Sequence, residues 1–130
     1  MKKVASVLVD TGLILGQLRD HQPSIQLLRE FRRSDLLAIS AVTRLEVRAR
    51  MHEHERYYTQ KLLSRFVTFD VDSKIADLAG DLIARSRSQS LLSIPDAMIA
   101  ATALLEGLTL VTYNVAHFAQ VGGLSLYSLP

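Results

Sequence analysis

Four polar side chains, Asp10, Glu46, Asp96 and Asn114, stand where chemistry could be done. Each adjoins an apolar run, and a carboxylate there is costly unless it is hydrogen-bonded, paired or bound to a cation. Three carboxylates gathered at one place repel unless a cation sits among them. The chain has no Cys, and His52 and His54 cannot share a helix face at i, i+2 spacing. The available ligands are therefore hard oxygens, which select Mg²⁺ or Mn²⁺ over zinc. Such an ion activates water and stabilises charge developing on a phosphoryl oxygen. Phosphodiester hydrolysis is suggested, with other metal-assisted phosphate chemistry left open by the pattern.

Each residue also has a plainer reading. Ser93-x-x-Asp96 before an apolar run resembles a capping box, and an acid in the first turn complements the helix dipole, so Asp96 taken alone reads as a cap. Asp10 could be a turn carboxylate bonding local N–H groups. Glu46 could pair with Arg50 at i+4. What favours a shared site is where the elements put these residues.

The run 4–9 (VASVLV) is apolar on both faces, as buried parallel strands are, and ends at Asp10-Thr11-Gly12. Carboxyl ends of such strands are where α/β sheets bind ligands. A short helix is expected over 13–18 and a second from Pro23 through Phe31, then a strand at 36–39 and a helix capped by Ser40. In that helix Val42, Leu45, Glu46 and Ala49 follow i, i+3, i+4, i+7 spacing, which predicts one buried stripe with Glu46 in it. Tyr57, Tyr58, Leu62, Leu63 and Phe66 give an amphipathic helix within 52–66, followed by a strand at 67–69. Asp72 caps a helix with a core stripe of Ile75, Leu78, Ala79, Leu82 and Ile83, leaving Asp77 and Asp81 in solvent. Residues 85–93 read as a polar loop at the mouth of the fold, where Arg85 and Arg87 could meet phosphates.

The stretch 94–106 (IPDAMIAATALLE) is bounded by Pro95 in the first turn and by Gly107 in the left-handed position past the end. It carries no charge between Asp96 and Glu106, and a helix apolar on nearly every side is buried. Strands follow at 108–112, ending in Tyr113-Asn114, and at 124–127. Strands alternating with helices argue for a parallel sheet covered on both faces. Asp10 and Asn114 then share the carboxyl edge, where the helices bearing Glu46 and Asp96 begin.

The 130 residues, 48% of them hydrophobic, make a single domain over 1–130 with a core that needs no staples. A net charge of +2 is too small for a strongly basic coat. Arg29, Arg32, Arg33, Arg44, Arg48, Arg50 and Arg56 nevertheless crowd one third of the chain, and Arg pairs well with phosphate. Asp10 interrupts the only candidate for a signal or membrane segment, and the absence of Cys allows a reducing cytoplasm.

In this order and at these separations, the set Val9-Asp10-Thr11, TRLEV around Glu46, PDAMIAATA from Pro95 and GLTLVTYN ending at Asn114, with His117-Phe118 after it, resembles the PIN-domain ribonucleases. Within them it resembles the VapC-type toxins of toxin–antitoxin pairs. The resemblance covers nearly the whole chain. It implies a PIN-like three-layer α/β/α sandwich with a central, mainly parallel sheet, and a Mg²⁺-dependent (or Mn²⁺-dependent) endoribonuclease leaving 5′-phosphate and 3′-hydroxyl ends. Asp10, Glu46 and Asp96 match the three acidic positions, and Asn114 a fourth that is acidic in many members and Asn in others. Thr11 and Thr112 match hydroxyl positions near the site, and His117 stands where many relatives have Asp. The resemblance also implies an RNA substrate, a cognate antitoxin whose segment covers the site, homodimerisation and a cytoplasmic location without membrane attachment.

Two readings of other classes compete. A non-catalytic RNA- or antitoxin-binding module would use the carboxylates as structural caps. A phosphoryl-accepting receiver domain would use Asp10 with Asp70 and Thr112, but needs a lysine near the final strand, and every Lys here lies at position 74 or earlier.

Overall fold

The computed structural model describes residues 4–34, 36–86, 92–127 and 129. Four strands, β1 (Ala5–Val9), β2 (Leu36–Ser40), β3 (Val67–Phe69) and β4 (Thr109–Val111), form one parallel sheet in the order β3-β2-β1-β4. Parallel pairing aligns their carboxyl ends, so Asp10, Ser40, Asp70 and Thr112 all leave the sheet along one rim. With β2 between β1 and β3, Asp70 stands two strands from Asp10, an arrangement that gives a receiver-type pair no support.

Alternation along the strands divides the core in two. Val7, Val9, Leu37, Ile39 and Val111 face one way and pack with Leu13, Ile14, Leu28, Leu62, Leu63 and Phe66. These come from α1 (Thr11–Leu18), α2 (Gln22–Ser34), α4 (Arg56–Leu63) and the turn after α4. Leu8, Ala38 and Leu110 face the other way, against α5 (Ser73–Arg85), α6 (Ile94–Glu106) and α7 (Val115–Phe118). Burying each large aliphatic side chain contributes about 1.5–3 kcal/mol. Helices on both faces of a parallel sheet are the expected three-layer sandwich.

The α6 helix fulfils its sequence signals. Ser93 is its N-cap, accepting from the Asp96 N–H at 3.2 Å, and Pro95 lies in the first turn. Gly107 closes it at φ 65°, ψ 38°, a left-handed conformation that costs glycine little. Its small side chains, Ala97, Ala100, Ala101 and Ala103, are buried. They let α6 lie close against α5 and the sheet.

The structure corrects three expectations. In α3 (Ala41–Arg50) the buried residues are Thr43 and Val47, whereas Leu45 is 65% exposed and Ala49 is also exposed. The helix is rotated so that its hydroxyl, not its leucine, meets the end of β1. In the segment 52–66 a 3₁₀ turn (Glu53–Glu55) precedes α4, and Tyr57 and Tyr58 face solvent while Leu62, Leu63 and Phe66 are buried. The expected strand at 124–127 is reduced to one bridge, Leu110 to Leu126, after the turn containing Gly122 and Gly123. Asp77, Asp81, His52 and His54 are exposed, as expected. The Arg87 side of the polar loop lies outside the described residues.

Candidate metal centre

Asp10 leaves β1 at the moment α1 begins, and it caps that helix. Its Oδ1 accepts from the Thr11 N–H at 2.8 Å. Its Oδ2 accepts from the Thr112 hydroxyl at 2.6 Å, a bond spanning 102 residues. Thr112 is fully buried and itself accepts from the Asn114 N–H at 3.0 Å, so its proton is aimed at Asp10. Each carboxylate oxygen has a second lone-pair direction, so both remain able to bind a cation.

Glu46 reaches the same rim from α3. Its Oε1 accepts from the Thr11 hydroxyl at 2.7 Å, and Thr11 Oγ1 also lies 3.2 Å from the buried Thr43 Oγ1. Glu46 is part-buried and bonded across to α1, so the inward reading describes it. Asp96 arrives from the first turn of α6, part-buried, with Oδ2 3.4 Å from His117 Nε2. Ser93 performs the capping there, which leaves the Asp96 carboxylate free of that duty.

Asp10 feels both other acids. Burial pushes the Asp10 carboxyl above its ordinary range. The Thr112 and Thr11 hydrogen bonds pull it back, and the charges of Asp96 and Glu46 raise it further. Asn114 is exposed and joins the network through its backbone N–H; its side chain makes no capping bond to α7. The Thr11 and Thr112 hydroxyls each donate to a carboxylate of the rim, Thr11 to Glu46 and Thr112 to Asp10. Thr43 and the His117 contact were not foreseen as parts of the site. Thr43 sits one turn before Glu46 on the same face of α3, a spacing that could have revealed it.

The donors suit a hard divalent cation. They are carboxylate and hydroxyl oxygens, and an acid whose pKa is raised by burial first, and further by two neighbouring acids, is relieved by positive charge. Among the described residues no three His, Asp or Glu side chains are already gathered closely enough to cage an ion. Mg²⁺ does not require a cage: it keeps several waters and is held through one or two carboxylates plus substrate phosphate.

A family model for the PIN domain matches residues 7–124. Ribonuclease VapC10 of Mycobacterium tuberculosis is 35% identical over 113 residues, covering 86% of this chain and 85% of that protein. Ribonuclease VapC19 of the same organism is 33% identical, with 85% and 90% covered. Among solved structures, a toxin–antitoxin complex from Klebsiella pneumoniae superposes at TM-score 0.80 with 29% identity, over 95% of this chain and 97% of that one. The DNA-bound VapBC of Salmonella typhimurium superposes at TM-score 0.81 with 23% identity, a likeness of fold. A parallel sheet edged with acids, a family match over most of the length and relatives a third identical lead to one assignment: this chain belongs to the PIN-domain family, among relatives named as VapC ribonucleases.

Proposed function

We propose that the chain is a metal-dependent endoribonuclease that hydrolyses RNA phosphodiester bonds, and that it is the toxin of a toxin–antitoxin pair. The observation that carries this reading is the meeting at the sheet's rim of Asp10 and Glu46, both bonded to Thr11, with Asp96 near enough for its charge to act on Asp10. The relatives named as ribonucleases, and the toxin–antitoxin complex with a similar fold, support it.

Asp10 and Asp96, with Glu46, would hold Mg²⁺ or Mn²⁺; when bound, the ion lowers the pKa of water and offsets charge on the phosphoryl oxygen. The chain's own residues prepare the rest. Thr112 keeps Asp10 from rotating, and Thr11 fixes Glu46 through one oxygen. The second Glu46 oxygen can steer the attacking water and take its proton. The expected products carry a 5′-phosphate and a 3′-hydroxyl. Arg48 and Arg50, exposed on the helix that bears Glu46, supply cationic approach to the RNA backbone and a salt-sensitive affinity. Arg44 is instead bonded to Thr68 and Arg56 to Glu53.

The test is cleavage of RNA with Mg²⁺, with EDTA and by Asp10→Asn. Cleavage with Mg²⁺ that both treatments abolish is expected; cleavage indifferent to either would remove the metal hypothesis. An exposed Asn114 where many relatives carry an acid is the one observation favouring a non-catalytic binding module. That module would bind RNA or antitoxin and cleave under no metal condition. The antitoxin partner and a homodimer in the cytoplasm belong to the same proposal. Co-purification with the product of a neighbouring small gene, and the mass of the complex, would test them. No helix among the described residues is long and apolar enough to cross a membrane.

A further inference from the structure

Tyr113 sits between Thr112, which holds Asp10, and Asn114, and its ring is held from three sides. Its hydroxyl bonds Ser24 Oγ at 2.6 Å, and Ser24, fully buried, also meets His21 Nδ1 at 2.8 Å. The His21 ring stands edge-on to the Tyr113 ring, with centroids 5.9 Å apart and planes at 89°. A Cβ on Gly12 would lie 3.7 Å from Tyr113 Cδ2, so the phenol also rests beside the first turn of α1. The neighbouring chain is shaped around this anchor. A Cβ on Gly16 would come within 2.2 Å of Ser24 Oγ, and Asp20 turns the chain between α1 and α2 at φ 59°.

Despite this anchoring, 47% of Tyr113 remains exposed. A ring held by these contacts keeps about half of its surface open to a ligand. Beside it is a hollow of about 260 Å³, lined by Tyr113, the apolar Pro23 and Leu27, and Gln26 and Glu30. Gln26 and Glu30 are four residues apart on one face of α2. The hollow thus combines a flat aromatic wall, an amide that can donate and accept, and a carboxylate that accepts only. That is the chemistry of a nucleobase, which stacks by its π-face and offers N–H donors at its edge.

We propose that Tyr113, Gln26 and Glu30 form a subsite for one unpaired nucleobase of the RNA, beside the phosphate held at the acidic rim. This rests on the nuclease reading above, since the subsite is placed by its continuity with Thr112 and Asp10.

The experiment measures fluorescence anisotropy of labelled single-stranded RNA of mixed sequence, in an Asp10→Asn background that suppresses hydrolysis. Tyr113→Ala and Tyr113→Leu are expected to weaken binding about 5- to 100-fold, the span of one lost base stack. Tyr113→Phe, which keeps the ring, should stay within about 3-fold. A 2-aminopurine base in the RNA should be quenched by the Tyr113 protein and not by Tyr113→Leu. Melting temperatures separate a lost subsite from a lost fold. Equal affinity of Tyr113→Ala, or a loss in Tyr113→Phe as large as in Tyr113→Ala, would overturn the subsite while RNA cleavage by the unmutated chain keeps the nuclease reading intact. An unmutated chain that neither binds nor cleaves RNA would overturn both.

Discussion

The beginnings of α1 and α6 face the same rim and solve the same local problem differently. Each exposes unpaired N–H groups and each carries an aspartate. At α1 one carboxylate has several tasks: Asp10 caps the helix and ties β1 to the strand end at Thr112, and on the proposed reading it would also hold the cation. At α6 the tasks are divided, since Ser93 caps and Asp96, three residues on, is left for His117 or a cation. The difference teaches where the energetic burden lies. Asp10 is the acid that burial penalises, and its bonds from the Thr112 hydroxyl and the Thr11 N–H offset that penalty only in part.

The largest effects should erase the contrast. On the nuclease reading, Asp10→Asn and Asp96→Asn are each expected to lower RNA cleavage on the order of 100-fold or more, because each removes a carboxylate that would hold the divalent cation. They should part company in stability. Asp10→Asn keeps a side-chain oxygen for capping and removes the buried charge, so its melting temperature should equal or exceed that of the parent. An Asp10→Asn chain that cleaves normally would break the comparison.

A step smaller, Thr112→Val should cost ~10- to 100-fold in cleavage, the range for loss of a group that orients a metal ligand. It should also cost about 1–3 kcal/mol in urea denaturation, because Asp10 Oδ2 would lose a buried donor. Ser93→Ala should cost about 1 kcal/mol with cleavage nearly unchanged, since it removes a cap and no ligand. If Ser93→Ala instead abolished cleavage in a folded protein, the division of labour at α6 would be wrong.

The smallest effect concerns pH. In the metal-free chain Asp10 titrates above the ordinary aspartate value of 3.8, so the folded state binds its proton more tightly than the unfolded state does. Stability from this group is therefore greatest below 3.8 and declines as pH rises from there through the raised pKa. Above that interval the cost of the ionised, buried carboxylate is constant. The difference in unfolding free energy between the parent and Asp10→Asn should show this decline, and a saturating divalent cation should remove it. A difference that grew in the parent's favour with rising pH would contradict the assigned direction.

Much of this was readable without coordinates, for physical reasons that vary by residue. Ser93, Pro95 and Gly107 delimit α6 because caps and left-handed ends are local, and local rules act on adjacent residues. The run before Asp10 announced a buried parallel strand because it is apolar on both faces. The orientation of α3 was not readable to the same degree. Glu46 is part-buried and bonded to Thr11, but Leu45 and Ala49 are exposed, because the buried face of α3 is the one that carries Val47 and Thr43. The final segment misled for the opposite reason: 124–127 alternates like a strand but meets β4 at a single bridge. The anchor at Tyr113 was invisible because its partners, His21 and Ser24, lie roughly ninety positions earlier in the chain.

The bond between Thr112 and Asp10 has a temporal side. During synthesis β1 and α3 emerge well before β4 does, but until Thr112 arrives Asp10 has neither its second clamp nor the strand beside it. Chains stopped before Thr109 should thus be catalytically silent, however much of the helical shell they have formed.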